Sequence, residues 1–359
     1  MGKRQSNFEL LRIICMFFIM GIHIVSQTAL GSVGISDGIS YYYLTILSSA
    51  GRLVCNTFVI VGAWFLVDTE FRPERAVNLW LEIFFYAVPI TIVCLAFGWP
   101  NASLTTLIQA FFPVFGRPVW FGAEYICLLL LTPWLNQMLK ETYIKSTRKV
   151  VIVFGILIIG CATLFPIEHT TPAFSELIWF CFLYLLTGMY KHKQLSVHRI
   201  FEQYSFWWFL CCYLLLCGLR IAADYLDFGF LRQLYVYYRE HYEALPGFVC
   251  SIFLFLTFKN WNVKKSSVIN LISRSMFAVY IIHQTPAFYR FMWNGIFQID
   301  KAVKQENIIG YSLIVMALIF FICILVDILR IAAAEKFVYP SSGYQKICDK
   351  IRAFYKDII

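Results

Sequence analysis

Ten apolar runs separated by short polar breaks fix what this chain can fold into. They fall near residues 8 to 29, 45 to 67, 78 to 98, 118 to 139, 149 to 166, 173 to 190, 205 to 223, 245 to 258, 268 to 288 and 308 to 330. Most approach the roughly 20 residues that carry an α-helix across about 30 Å of hydrocarbon. Only 14% of the 359 residues are charged and 60% are hydrophobic, with a mean hydropathy of +0.69; soluble domains carry about 25% charge. The expected fold class is therefore all-α: a polytopic membrane protein of about ten transmembrane helices, the eighth being short.

Basic residues collect in cytoplasmic loops. With the N-terminus inside, twenty of the thirty Lys and Arg fall on inner segments. They include Lys3, Arg4, Arg72, Arg75, the stretch from Lys140 to Lys149, Lys264, Lys265 and the tail from Arg330 onward. Both termini are thus expected in the cytoplasm, and the loop from Arg232 to Glu243 outside. The net charge of +9 is accounted for by topology and inner-leaflet attraction, with no nucleic-acid partner required.

Lys3 and Arg4 before an apolar core, with Ala29-Leu30-Gly31 after it, also fit a cleaved signal peptide. Cleavage would discard the most unusual helix of the chain, and a polytopic protein does not need it. The twelve cysteines lie almost all singly inside apolar runs, where the thiol behaves as a small apolar group. His169, His192, His198 and His241 show no metal-ligand spacing. No linker, repeat or soluble insertion divides the chain, so residues 1-335 read as one transmembrane domain and 336-359 as a cytoplasmic amphipathic tail.

The first run holds Arg12 and His23, eleven positions apart. At about 100° and 1.5 Å per residue they share one helix face, roughly 16 Å apart along it. Glu9, three residues before Arg12, is its local partner. Ionisable groups in spans are costly and mark function by default. The plainer account is that Arg12 snorkels to headgroups and His23 bonds a neighbouring helix. Arg72 and Arg75 follow the second run one turn apart, where paired guanidinium forks suit a diphosphate; ordinary cytoplasmic anchoring also explains them.

Together these residues resemble the integral-membrane acyltransferase 3 family of bacterial O-acyltransferases. The resemblance rests on Arg12-x10-His23, Phe58 to Gly62, Arg72-x-x-Arg75, Trp120-Phe121 with Glu124-Tyr125 up to Pro133, and Ser273 to His283. Two positions depart from the pattern: Glu9 stands for the usual Asp, and Val61 for the usual Ser before Gly62.

The resemblance implies O-acyl transfer, in particular O-acetyl transfer, at the bacterial inner membrane. The donor would be cytoplasmic acetyl-CoA, used as a co-substrate with no permanently bound cofactor, and the acceptor a hydroxyl of a cell-surface or exported glycan. His23 would be the base or acyl-carrying nucleophile, with Arg12 stabilising charge beside Glu9 and Arg72 with Arg75 holding the coenzyme phosphates. Trp120, Glu124, Tyr125, Tyr280 and His283 are the candidate acceptor residues. For Trp120 an interfacial belt position, and for His283 a structural hydrogen bond, are the alternatives. Arg52 and Asn56 either pair with Glu124 or meet the acceptor. The chain ends about thirty residues after its last run, so no appended esterase-like domain is expected; the acyl group would pass directly to the acceptor, the preferred expectation, or to a separate protein. A transporter moving an acyl compound, glycan or anion is the other reading of a polar intramembrane face.

Overall fold

A computed structural model describes residues 5–27, 33–166, 175–302 and 307–356. Lys3, Arg4, the Ala29-Leu30-Gly31 stretch, His169 and Lys304 lie outside the described residues. All described secondary structure is helical, in four short 3₁₀ or π segments and nineteen α-helices. In chain order these are α1 Ser6–Gln27, α2 Ile39–Ser49, α3 Leu53–Leu66, α4 Pro73–Ala96, α5 Leu104–Phe111, α6 Pro113–Gly116, α7 Trp120–Met138, α8 Glu141–Leu164, α9 Glu176–Lys191 and α10 Arg199–Gln203. They continue as α11 Ser205–Tyr225, α12 Gly229–Glu240, α13 Leu245–Asn260, α14 Ser267–Ile272, α15 Met276–Gln284, α16 Pro286–Arg290, α17 Ile299–Ala302, α18 Ile308–Ala333 and α19 Ser342–Phe354.

Each of the ten apolar runs contains a helix among its described residues. Six helices among the described residues are long and apolar enough to cross a membrane, counting α2 and α3 as one span; the bent pair α12 and α13, 45° apart, would make a seventh. The other runs fall short for visible reasons. Helices α9 and α13 have 16 residues each, about 24 Å at 1.5 Å per residue. Glu124, Asn136 and Gln137 dilute α7, and the ninth run is interrupted by a 3₁₀ turn at Ser273–Ser275 between α14 and α15.

Burial orders the bundle. The α2–α3 span is 78% buried and α1 56%, whereas α8 is 22% and α11 28%. A membrane helix exposed on its apolar side faces lipid, so α8 and α11 form the periphery while α1 sits inside. Helix α1 packs on α2, α3, α13, α14, α15 and α18. Its first turn is fastened by Asn7 Nδ2 donating to the Phe258 carbonyl at 2.8 Å and by Ser6 Oγ donating to Asn270 Oδ1 at 3.1 Å. The chain after α18 continues through a π-turn at Ala334–Val338. Helix α19 then docks on the start of α4, with Tyr344 donating to Asn78 Oδ1 at 2.7 Å and Arg352 paired with Glu74.

Candidate functional site

Because α1 is unbroken from Ser6 to Gln27, Arg12 and His23 keep their helical register and stand at two ends of one face. The stretch between them is not polar. Met16 and Ile19 lie on that face, 2% and 7% exposed, so the face carries two separate polar ends with apolar packing between them.

At the His23 end a cavity of about 220 Å³ is lined by His23, Ser26, Arg52, Cys55, Phe58, Trp120, Phe121, Tyr280 and Glu240, with Met16 and Ile19 among its apolar walls. His23 Nδ1 lies 2.8 Å from His283 Nε2 and 2.6 Å from Gln284 Nε2. His283 is fully buried, and its Nδ1 meets the Val279 carbonyl at 2.5 Å. Ser26 donates to the His23 carbonyl at 2.8 Å and shares a hydrogen bond with the Tyr289 hydroxyl at 2.8 Å. The Tyr289 ring stands edge-on to the His23 imidazole.

Arg52 lines the cavity. Its guanidinium carbon lies 5.3 Å from the Trp120 ring centre and 5.5 Å from that of Tyr242, and those rings are within 11° of parallel. Two aromatic faces thus hold one cation in place, and Glu240 pairs with it at 3.7 Å. Asn56 is engaged elsewhere: it donates to the Tyr242 carbonyl and accepts from Trp179 Nε1, at 2.7 and 2.8 Å.

At the Arg12 end, Arg12 Nη1 donates to Glu9 Oε2 at 3.1 Å. Glu9 is buried and also accepts from Ser273 Oγ, which ties α1 to the break in the ninth run. Arg72 precedes Pro73 at the start of α4 and is exposed, while Arg75 is partly buried and donates to Thr69 Oγ1 at 3.1 Å. Tyr125 reaches into this end, within the field of both Arg12 and Arg75 and against Gly62.

The ten candidate residues therefore sort into three places. His23, His283, Trp120 and Tyr280 come together at the cavity. Glu9, Arg12, Arg72, Arg75 and Tyr125 belong to the other end. Glu124 joins neither: it pairs with Arg117 at 2.9 Å, beside Glu176. Gln284, Ser26 and Tyr289 were not singled out by sequence, being ordinary polar residues at helix ends. A buried cluster of Glu82, Asp327, Arg330 and Tyr86 between α4 and α18 was also passed over, although two carboxylates inside apolar runs were a readable signal. Among the described residues no group of His, Cys, Asp and Glu could hold a metal ion.

The described residues thus form an all-helical protein of multi-pass membrane character, with His23 at a cavity and Arg12 near the far end of the same helix. The family model for the acyltransferase domain, Acyl_transf_3, matches residues 5–328, nearly the whole chain, and the protein belongs to that family of acyltransferases. No curated protein and no solved structure matches the chain.

Proposed function

We propose that this acyltransferase moves an acetyl group from cytoplasmic acetyl-CoA to a hydroxyl of a cell-surface or exported glycan, at the bacterial inner membrane. The observation that carries the reading is His23 on a small cavity, about three helical turns from Arg12 on the same helix. A cavity of about 220 Å³ is below the roughly 300–1,000 Å³ of drug-sized ligand sites, too small for a whole coenzyme. It suits a sugar ring with the acyl group. The coenzyme phosphates then stay at Arg72 and Arg75, where planar forks bind phosphate oxygens in pairs.

The acceptor oxygen attacks the thioester carbonyl carbon while the His23 imidazole takes the hydroxyl proton. The C–S bond breaks, the new ester C–O bond remains, and the departing thiolate takes the proton back from the His23 imidazolium, giving the coenzyme thiol and the free base. Met16 and Ile19 mark where the thioester arm must pass. An unbranched thioether side chain such as Met16 rearranges at low cost. Trp120 and Tyr280 offer aromatic faces to the sugar.

The test is His23→Gln in purified, lipid-reconstituted protein, with radiolabelled acetyl-CoA and a glycan extract as acceptor. Gln keeps a hydrogen-bonding group but takes no proton near neutrality. A base or nucleophile contributes about 10²- to 10⁴-fold, whereas an interhelical hydrogen bond in a membrane contributes about 0.6–2 kcal/mol. Turnover should fall by at least about 10²-fold with unchanged coenzyme binding. Turnover above about a tenth of the parent value, outside the catalytic range, would make His23 structural.

A further inference from the structure

The hydrogen bonds around His23 define which of its nitrogens carries the proton, and they do so through a second histidine. A carbonyl oxygen only accepts, so His283 Nδ1, 2.5 Å from the Val279 carbonyl, is the protonated nitrogen of that ring. Its Nε2 is then either bare, in a neutral ring, or protonated, in an imidazolium. An imidazolium there would be a buried charge on a fully buried residue, and among the described residues no carboxylate pairs with either ring. Unpaired buried charge is strongly disfavoured. His283 Nε2 is therefore a lone-pair acceptor, and the His23 Nδ1 that lies 2.8 Å from it must donate.

Gln284 fits the same assignment. Its carboxamide end lies 2.6 Å from His23 Nδ1, and turning the amide about its last bond presents oxygen in place of nitrogen. That oxygen accepts from the same N–H. Were the amide instead to donate, His23 Nδ1 would be bare and would face the lone pair of His283 Nε2 across 2.8 Å.

The geometry points to His283 as the positioning residue of the acyl-transfer site: through the Val279 carbonyl and the His23 Nδ1–H it holds His23 in the tautomer whose Nε2 is free to take the acceptor proton. His23 Nε2 has no hydrogen-bond partner among the described residues, as a reacting nitrogen requires. This is the task of the carboxylate in a serine-protease triad, where the wrong tautomer costs about 10⁴-fold. A neutral imidazole performs it here, suited to an apolar site where a carboxylate would be costly to bury. The inference rests on His23 being the base or nucleophile, since only then does its tautomer matter to turnover.

The experiment has a spectroscopic arm and a kinetic arm, both on the full-length protein in lipid nanodiscs. In protein labelled with ¹⁵N-histidine, the His23 signals are assigned by their loss in His23→Gln. The parent should show His23 Nδ1 protonated and Nε2 bare, and His283→Leu should shift the His23 population toward the Nε2–H form. A parent protein with His23 Nδ1 bare overturns the inference. In the kinetic arm, His283→Leu should lower kcat by about 10- to 100-fold, the usual effect of losing an orienting partner, with KM for acetyl-CoA held within about twofold. His283→Gln places a carbonyl oxygen near the former Nε2 and should recover part of the loss. Equal kcat in parent and His283→Leu also overturns it. If instead the tautomer is as assigned but His23→Gln remains active, the positioning contact stands and the proposed chemistry fails, so the two failures are separable.

Discussion

Gly62 is where the Arg12 end of the site is packed most closely, against Tyr125. A Cβ there would lie 2.0 Å from the Tyr125 hydroxyl and 3.1 Å from the ring carbon that bears it, so Gly62→Ala requires the Tyr125 ring to move. Overpacking of this kind costs about 1–3 kcal/mol, and here it also pulls the hydroxyl away from Arg12 and Arg75. Tyr125→Phe removes the atom that clashes. The two substitutions should therefore couple: Gly62→Ala alone lowers thermal stability and acetyl-CoA affinity, and adding Tyr125→Phe restores part of the stability, with a coupling of about 0.5–3 kcal/mol. A thermal-unfolding cycle over the four proteins checks this, and strict additivity would mean the ring is not where the geometry has it. Val61, where the family pattern has Ser, is completely buried; its neighbourhood is packed rather than hydrogen-bonded through that side chain.

At the scale of single elements, the first turn of α4 sets Arg72 and Arg75 one turn apart, with Pro73 fixing the helix start. Arg72 is free to meet a ligand, whereas Arg75 is braced by Thr69. Replacing both by Ala should weaken acetyl-CoA binding by more than about tenfold, since hydrogen bonds to charged groups contribute roughly 1.5–3 kcal/mol each. Protein abundance should change little, and double Lys replacement should recover only part, having lost the planar fork. Isothermal titration of the reconstituted proteins gives the comparison; unchanged affinity would leave both arginines as topology signals. What could be read beforehand was whatever repeats within one helix. The alignment of Arg12 with His23, the Glu9 partner and the arginine pair follow from 3.6-residue periodicity. The resemblance puts Glu124 and Tyr125 together as acceptor candidates, yet neighbours on a helix point about 100° apart, and the fold sends one to Arg117 and the other toward Arg12 and Arg75. The His23–His283 contact joins residues 260 apart, a separation at which no periodicity operates.

For the whole molecule the open quantity is which face is outside, and the fold reduces it to one measurement. Helix α8 has 24 residues, about 36 Å at 1.5 Å per residue, so its ends lie on opposite faces. Its first turns carry Lys145, Arg148 and Lys149. At its far end the Thr163 carbonyl accepts from the Tyr238 hydroxyl at 2.9 Å and Thr163 Oγ1 accepts from Leu245 N at 2.9 Å. That face therefore also holds α12, whose Glu240 lines the His23 cavity, together with the network in which Asp224 binds Arg220, Arg232 and Tyr41. If the positive-inside bias holds, the Lys145 end is cytoplasmic and the His23 cavity opens on the far face, as the proposed transfer to an exported acceptor requires. Ser146 and Gln233 are exposed on the two faces. In intact cells an impermeant maleimide should label Gln233→Cys and spare Ser146→Cys until the membrane is permeabilised, the parent protein giving the background from native thiols. The reverse pattern would turn the cavity to the cytoplasm and remove the case for an acceptor beyond the membrane.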